Sequence, residues 1–128
     1  MAATIKFIWT DFHTLDDDKD RDDGISEPYM LDSNRLLARN QSWGKDLVFR
    51  EDSWDKGQVF DIGHANIPLT EVHRIKNKFD MDTDDGWNVV MHVHVKDSDG
   101  IEYEVGRQLW NIGDGNPRSG EMELRWNQ

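Results

Sequence analysis

The sequence predicts an all-β protein, folded as an antiparallel two-sheet sandwich of about eight strands, and three observations carry that expectation. Short stretches rich in β-branched and aromatic residues recur between Asp, Gly and Asn punctuation. No segment of useful length shows the 3.6-residue period of an amphipathic helix. Residues 87–95 are dense in Val and other strand formers, meet the turn signal Asp97-Ser98-Asp99-Gly100, and lead into residues 101–105, the pattern of a hairpin. Two packed sheets are preferred to one open sheet, which would leave its edges and an apolar face uncovered.

Residues 4–15 read as a long strand, with Ile5, Phe7 and Trp9 on one face and Ile8 and Phe12 near the other. Residues 28–31 form a shorter strand. Residues 33–40 read as one or two helical turns, residues 40–44 as a turn, and residues 47–50 resume strand character. Further strands are expected at 58–62, 69–79, 87–96 and 101–105, with a last one at 122–126. Trp9, Trp87 and Trp126 fall in strand segments and are assigned to the core. Trp43, Trp54 and Trp110 lie near loops and are the candidate ligand-binding rings, since an exposed indole on a sandwich face can stack on a sugar; packing at the core or an edge is the plainer alternative.

The 128 residues contain no Pro/Gly/Ser-rich divider and are expected to form a single domain, residues 1–128. The mean hydropathy of −0.83 is polar for a folded chain, yet six Trp, five Phe and two Tyr give large apolar areas to bury. With no cysteine, disulfides, thiolate metal sites and cysteine nucleophiles are excluded. The first residues show no signal peptide, and no apolar run is long enough to span a membrane. A cytoplasmic location is the default expectation, with secretion left open because a removed export signal leaves no trace.

The formal net charge of −11 is concentrated in two places. Residues 16–27 hold seven acids against Lys19 and Arg21, and residues 80–85 hold four acids and no base. The rest of the chain is close to neutral, without the basic stripe that a nucleic-acid binder needs to displace counterions from phosphates. Both acidic segments place carboxylates at alternate positions ahead of a glycine. Calcium takes six to eight hard oxygen ligands, and alternate carboxylates on a turning loop can converge on one ion. The candidate ligands are Asp18, Asp20 and Asp22 in the first segment and Asp80, Asp82, Asp84 and Asp85 in the second. A helix-loop-helix calcium hand is rejected, because Arg21 stands at its required glycine and strand formers surround the loop. The plainer alternative is a pair of solvated loops whose charge confers only solubility.

The segment Gly24-Ile25-Ser26-Glu27-Pro28-Tyr29-Met30 resembles the Gly-x-Ser-Asp-Pro-Tyr-Val signature of the calcium-dependent phospholipid-binding sandwich domains of protein kinase C and the synaptotagmins. Residues 72–82, ending Phe79-Asp80-Met81-Asp82, are similar to that family's strand ending in an Asp-Phe-Asp triplet, and residues 59–62 followed by Leu69 also fall where the family has a strand and a leucine. The resemblance spans roughly residues 5–100. It implies an eight-stranded sandwich with the two acidic loops side by side at one end. It also implies that Glu27 replaces the second aspartate of the first loop, that Asp20 or Asp22 lies near the first, and that Asp80, Asp82 and Asp85 serve the later loop. Glu27 for aspartate, a more acidic first loop and compressed spacing after the triplet depart from the family pattern.

His92 and His94 are two apart on a strand and share a face, so they could hold zinc or copper if His64, His73 or a carboxylate joined them. Two histidines on an exposed sheet face need no such role. Arg74, Lys76 and Lys78 alternate along one strand as a basic face for an anionic head group or an acidic protein, or simply as its solvated side. No phosphate loop, nucleophile elbow or Ser/His/Asp ordering stands out, so an enzyme is not expected. The expected function is a calcium-binding module whose bound ions neutralise the loops and switch on association with anionic phospholipid, protein or glycan. The alternative is a lectin-like carbohydrate- or protein-binding sandwich with structural calcium only.

Overall fold

A computed structural model describes residues 3–21, 23–82, 86–113 and 115–125. These residues form the strands β1 (Ile5–Thr14), β2 (Ile25–Ser26), β3 (Pro28–Leu31), β4 (Leu36–Arg39), β5 (Trp54–Lys56), β6 (Phe60–Asp61), β7 (Ile75–Met81), β8 (Trp87–Asp97), β9 (Glu102–Ile112) and β10 (Ser119–Glu123). Short 3₁₀ segments, Gly63–Ala65 and Leu69–Arg74, separate β6 from β7. The protein is an all-β sandwich of two antiparallel sheets. One sheet runs β5-β1-β8-β9 with β6 also on β1, and the other runs β10-β7-β3-β4 with β2 also on β7.

Strand β8 shows why the sheets close on each other. Val89, Met91, Val93 and Val95 point inward and are fully buried, while Val90, His94 and Lys96 alternate with them and stay partly open. In β7, Ile75, Asn77, Phe79 and Met81 face inward and Lys76, Lys78 and Asp80 face out. The inward residues of both sheets join Phe12, Tyr29, Trp87, Ile112 and Leu124 in a core cluster. In β1 the pairing slips between Ile5 and Phe7, and this bulge puts Ile5 in the core beside Ile8 and Phe12 instead of on the face of Trp9.

Several local expectations need correction. Residues 33–40 form no helical turn: Asn34 sits at φ 63 in a tight turn, and β4 then pairs with β3, exposing Leu36 and burying Leu37. Pairing with a neighbouring strand overrides the helix propensity of Leu, Ala and Arg. The expected strand at 69–79 begins as a 3₁₀ turn after Pro68, which buries Leu69 and Val72 three residues apart before β7 starts. Within 47–50 only a single bridge forms, between Phe49 and Lys19. Strands β2 and β5 were not expected; Trp54 opens β5, and Trp110 lies two residues from the end of β9. Trp126 lies outside the described residues. Among the described residues no helix is long and apolar enough to cross a membrane.

Candidate functional site

The two acidic segments leave the ends of β1 and β7 and meet. Strand β2 pairs with the end of β7, Ile25 opposite Met81 and Ser26 opposite Asp80. The Asp82 amide then donates to the Gly24 carbonyl at 3.0 Å, and its carboxylate accepts from the Ser42 hydroxyl at 3.1 Å. Gly24 makes this approach possible, because a Cβ there would lie 2.3 Å from Asp82 Oδ2. Asp80 is exposed on the outer face of β7, with Arg118 Nε 3.9 Å away. Asp82 and Asp20 are also exposed.

The first segment is held by its own chain. Asp16 accepts from the Asn88 side chain, and Asp18 Oδ1 accepts from the Glu51 amide at 2.7 Å. The Lys19 amide donates to Phe49 O at 3.0 Å, and the Asp46 amide donates to Arg21 O at 2.8 Å. Asp22, Asp84 and Asp85 lie outside the described residues. Among the described residues, no group of three or more His, Asp or Glu side chains is arranged to hold a metal ion. Of the candidate ligands, the contact made at this meeting point is that of the Asp82 carboxylate with the Ser42 hydroxyl, a pair of hard oxygen groups.

Glu27 takes no part in that end of the molecule. It lies between β2 and β3 with the same inward parity as Ile25, Tyr29 and Leu31, and is 2% exposed. Its Oε1 accepts from Thr10 Oγ1, from Asn77 Nδ2 at 2.9 Å and from Tyr29 OH at 3.3 Å. Burial pushes its carboxyl up from the ordinary value, and the hydrogen bonds from Thr10, Asn77 and Tyr29 oppose that shift without cancelling it. The Tyr29 hydroxyl is likewise pushed well up, chiefly by burial and then by the Glu27 charge. The resemblance placed a ligand here; the structure places a core carboxyl that bridges β3 and β7 to β1.

The three candidate tryptophans part company. Trp43 bridges to Ile25 and packs on Phe12 and Phe49, closing the core beneath the acidic end. Trp110 meets Phe79 edge-on at 4.7 Å and lies against Gly120 at the β9–β10 side of the core. Trp54 alone of the three is open, at 59% exposure, with its ring parallel to His13 at 4.4 Å and over His92 at 4.8 Å.

Trp54 heads an ordered surface that the sequence reading missed. Across the outer face of the first sheet, pairing aligns Trp54, His13, Val90 and Leu109 in one row and Lys56, Asp11, His92 and Arg107 in the next. Trp54 and Leu109, at opposite ends of the first row, are each 59% exposed. Trp9 lies in the same face, stacked on His94 at 5.6 Å, with Lys56 Nζ 4.6 Å from its ring. His92 and His94 do share this face, but each has its own carboxylate: His92 Nδ1 meets Glu104 Oε1, and His94 Nε2 lies 3.3 Å from Asp11 Oδ2. His64 and His73 lie on the 3₁₀ segments, outside this face. The signal that could have found it was the shared parity of Trp9, Asp11 and His13.

Comparison with family models, with curated proteins and with solved structures finds no match for this chain.

Proposed function

We propose that the protein is a calcium-binding module whose ion sits at the meeting point of the two acidic loops and controls association with a membrane surface or a protein. The observation that supports this reading is the hydrogen bond from Asp82 N to Gly24 O, which makes neighbours of segments more than fifty residues apart in sequence. Like charges gathered in this way repel, and a divalent cation relieves the repulsion. Asp82 would be the central ligand, with the exposed Asp80 and Asp20, and Asp84 and Asp85 that follow in sequence, as the further candidates. Neutralising the loop tip would change how it meets an anionic surface.

Thermal melting in excess calcium against chelator tests the reading. A ligand at a hundred times its dissociation constant stabilises by about 2.7 kcal/mol, a shift of several degrees in a domain of this size. Magnesium should do less, since it requires a smaller octahedral cage. Equal melting in calcium and chelator would end the proposal. Co-sedimentation with phosphatidylserine vesicles, with and without calcium, then separates a membrane partner from a protein partner.

The exposure of Trp54 favours a second reading, a lectin-like module. An indole backed by His13, with Asp11, Lys56 and Arg107 in the next row, presents a flat apolar surface beside hydrogen-bonding groups. A glycan screen of the wild type and Trp54→Ala tests it; binding that survives the substitution would remove this face from consideration.

A further inference from the structure

Lys19 is the only lysine among the buried polar residues of the described chain, with 0% exposure, and it sits within the most acidic stretch of the sequence. An ammonium has three donors. Here they reach three backbone carbonyls, Gly44 O at 2.8 Å, Leu47 O at 2.8 Å and Asp20 O at 3.2 Å. The Phe49 ring lies 4.9 Å from the nitrogen. Gly44, at φ 78, makes the turn that presents its carbonyl, and a Cβ there would come within 3.8 Å of the ammonium.

We infer that this cage is a monovalent-cation site filled by the chain's own ammonium, so that Lys19, and not a metal ion, closes the first acidic loop. Rings of backbone carbonyls are the coordination that potassium takes. Three neutral carbonyls match the three donors of an ammonium, whereas calcium takes six to eight oxygens, with carboxylates among them. Burial lowers the affinity of Lys19 for its proton, while Asp23, Asp20 and Asp55 act in the opposite direction and favour the charged form. The tethered cation thus joins residues 19–21 to residues 44–49, together with the Lys19–Phe49 bridge. It leaves the Asp82 side of the loop pair as the place for any divalent ion.

Two variants and one measurement on the wild type decide the matter. Lys19→Ala should melt about 5 to 10 °C lower than the wild type. It should recover at least half of that loss in potassium, ammonium or methylammonium chloride, relative to tetramethylammonium chloride at equal ionic strength. Lys19→Met, whose side chain still fills the cage without a charge, should lose a similar amount and recover none. In the wild type at neutral pH, one lysine ammonium should give a slowly exchanging ¹⁵Nζ–¹H signal that is absent from Lys19→Met. The inference is overturned if Lys19→Ala melts within a degree of the wild type, if all salts rescue it equally, or if the wild type lacks the protected signal. The last measurement stands even if neither variant folds. None of these experiments uses a divalent ion, so their outcome is independent of calcium at Asp82.

Discussion

The Trp54 indole lies 4.4 Å from the His13 imidazole with their planes 5° apart, a cross-strand stack on the outside of the sandwich. Because Trp54 remains 59% exposed, its contribution to stability is confined to that stack and the contact with His92. Trp54→Ala should cost about 0.5 to 1.5 kcal/mol. Trp87, fully buried among Phe12 and Phe49, should cost about 3 to 5 kcal/mol when cut to Ala. Urea unfolding of the two variants checks the contrast, and equal losses would mean that Trp54 is part of the core.

Gly24→Ala places a methyl group 2.3 Å from Asp82 Oδ2 and 2.7 Å from Ser42 Cα. The Ser42 contact is backbone, so the clash cannot be relieved by rotating one side chain. We expect a loss of about 1 to 3 kcal/mol in urea and, with the loops forced apart, a loss of any calcium-dependent shift in melting. A variant that melts normally and still responds to calcium would separate the ion from the Gly24–Asp82 contact.

Asp80→Asn together with Asp82→Asn should remove more than half of the calcium-induced shift. In chelator the same protein should melt at or above the wild type, because two like charges have gone from a crowded end. An undiminished calcium response measured by calorimetry would move the ion elsewhere.

Glu27→Gln tests the core carboxyl. A carboxyl whose affinity for protons is raised by folding contributes stability that is fully present below its unfolded value, near pH 4.3. That contribution is lost as the pH rises through the folded value. Glutamine keeps the acceptor for Thr10, Tyr29 and Asn77. It also adds an amide donor to the side chain that Asn77 contacts, and Asn77 Oδ1 has no partner among the described residues. The variant should therefore be more stable than the wild type at pH 8, by about 1 to 3 kcal/mol, and the difference should shrink towards pH 4. A variant that is less stable at both ends would show that the ionised form is the native one.

The sandwich was legible because its main strands carry period-two burial in their residue types. Residues 28–31 coincide with β3, and residues 4–15 and 87–96 match β1 and β8 within a residue at each end. Strands β2 and β5, two and three residues long, are too short to show a period and exist because β7 and β1 provide partners. The end where the acids gather was suggested by similarity, and the Gly24–Asp82 contact brings the two segments together. The inward turn of Glu27 could have been read from its parity with Ile25 and Tyr29, whereas the resemblance makes that position a loop ligand. Lys19 was counted only as a charge, since the carbonyls that hold it come from Gly44 and Leu47, more than twenty residues away.

The placement of β1 bears on how the chain is made. Its long ladder is with β8, Thr14 opposite Val89 and Ile5 opposite Asp97, and its other partners are β5 and β6. All three follow it in sequence, so on the ribosome β1 emerges before its partners and waits for residue 97 before its main pairing can be completed. Pairings of such long sequence separation close slowly. During that interval Ile8 and Phe12, which the finished sandwich buries, stay open to water, the kind of exposure that slows folding and favours misassembly.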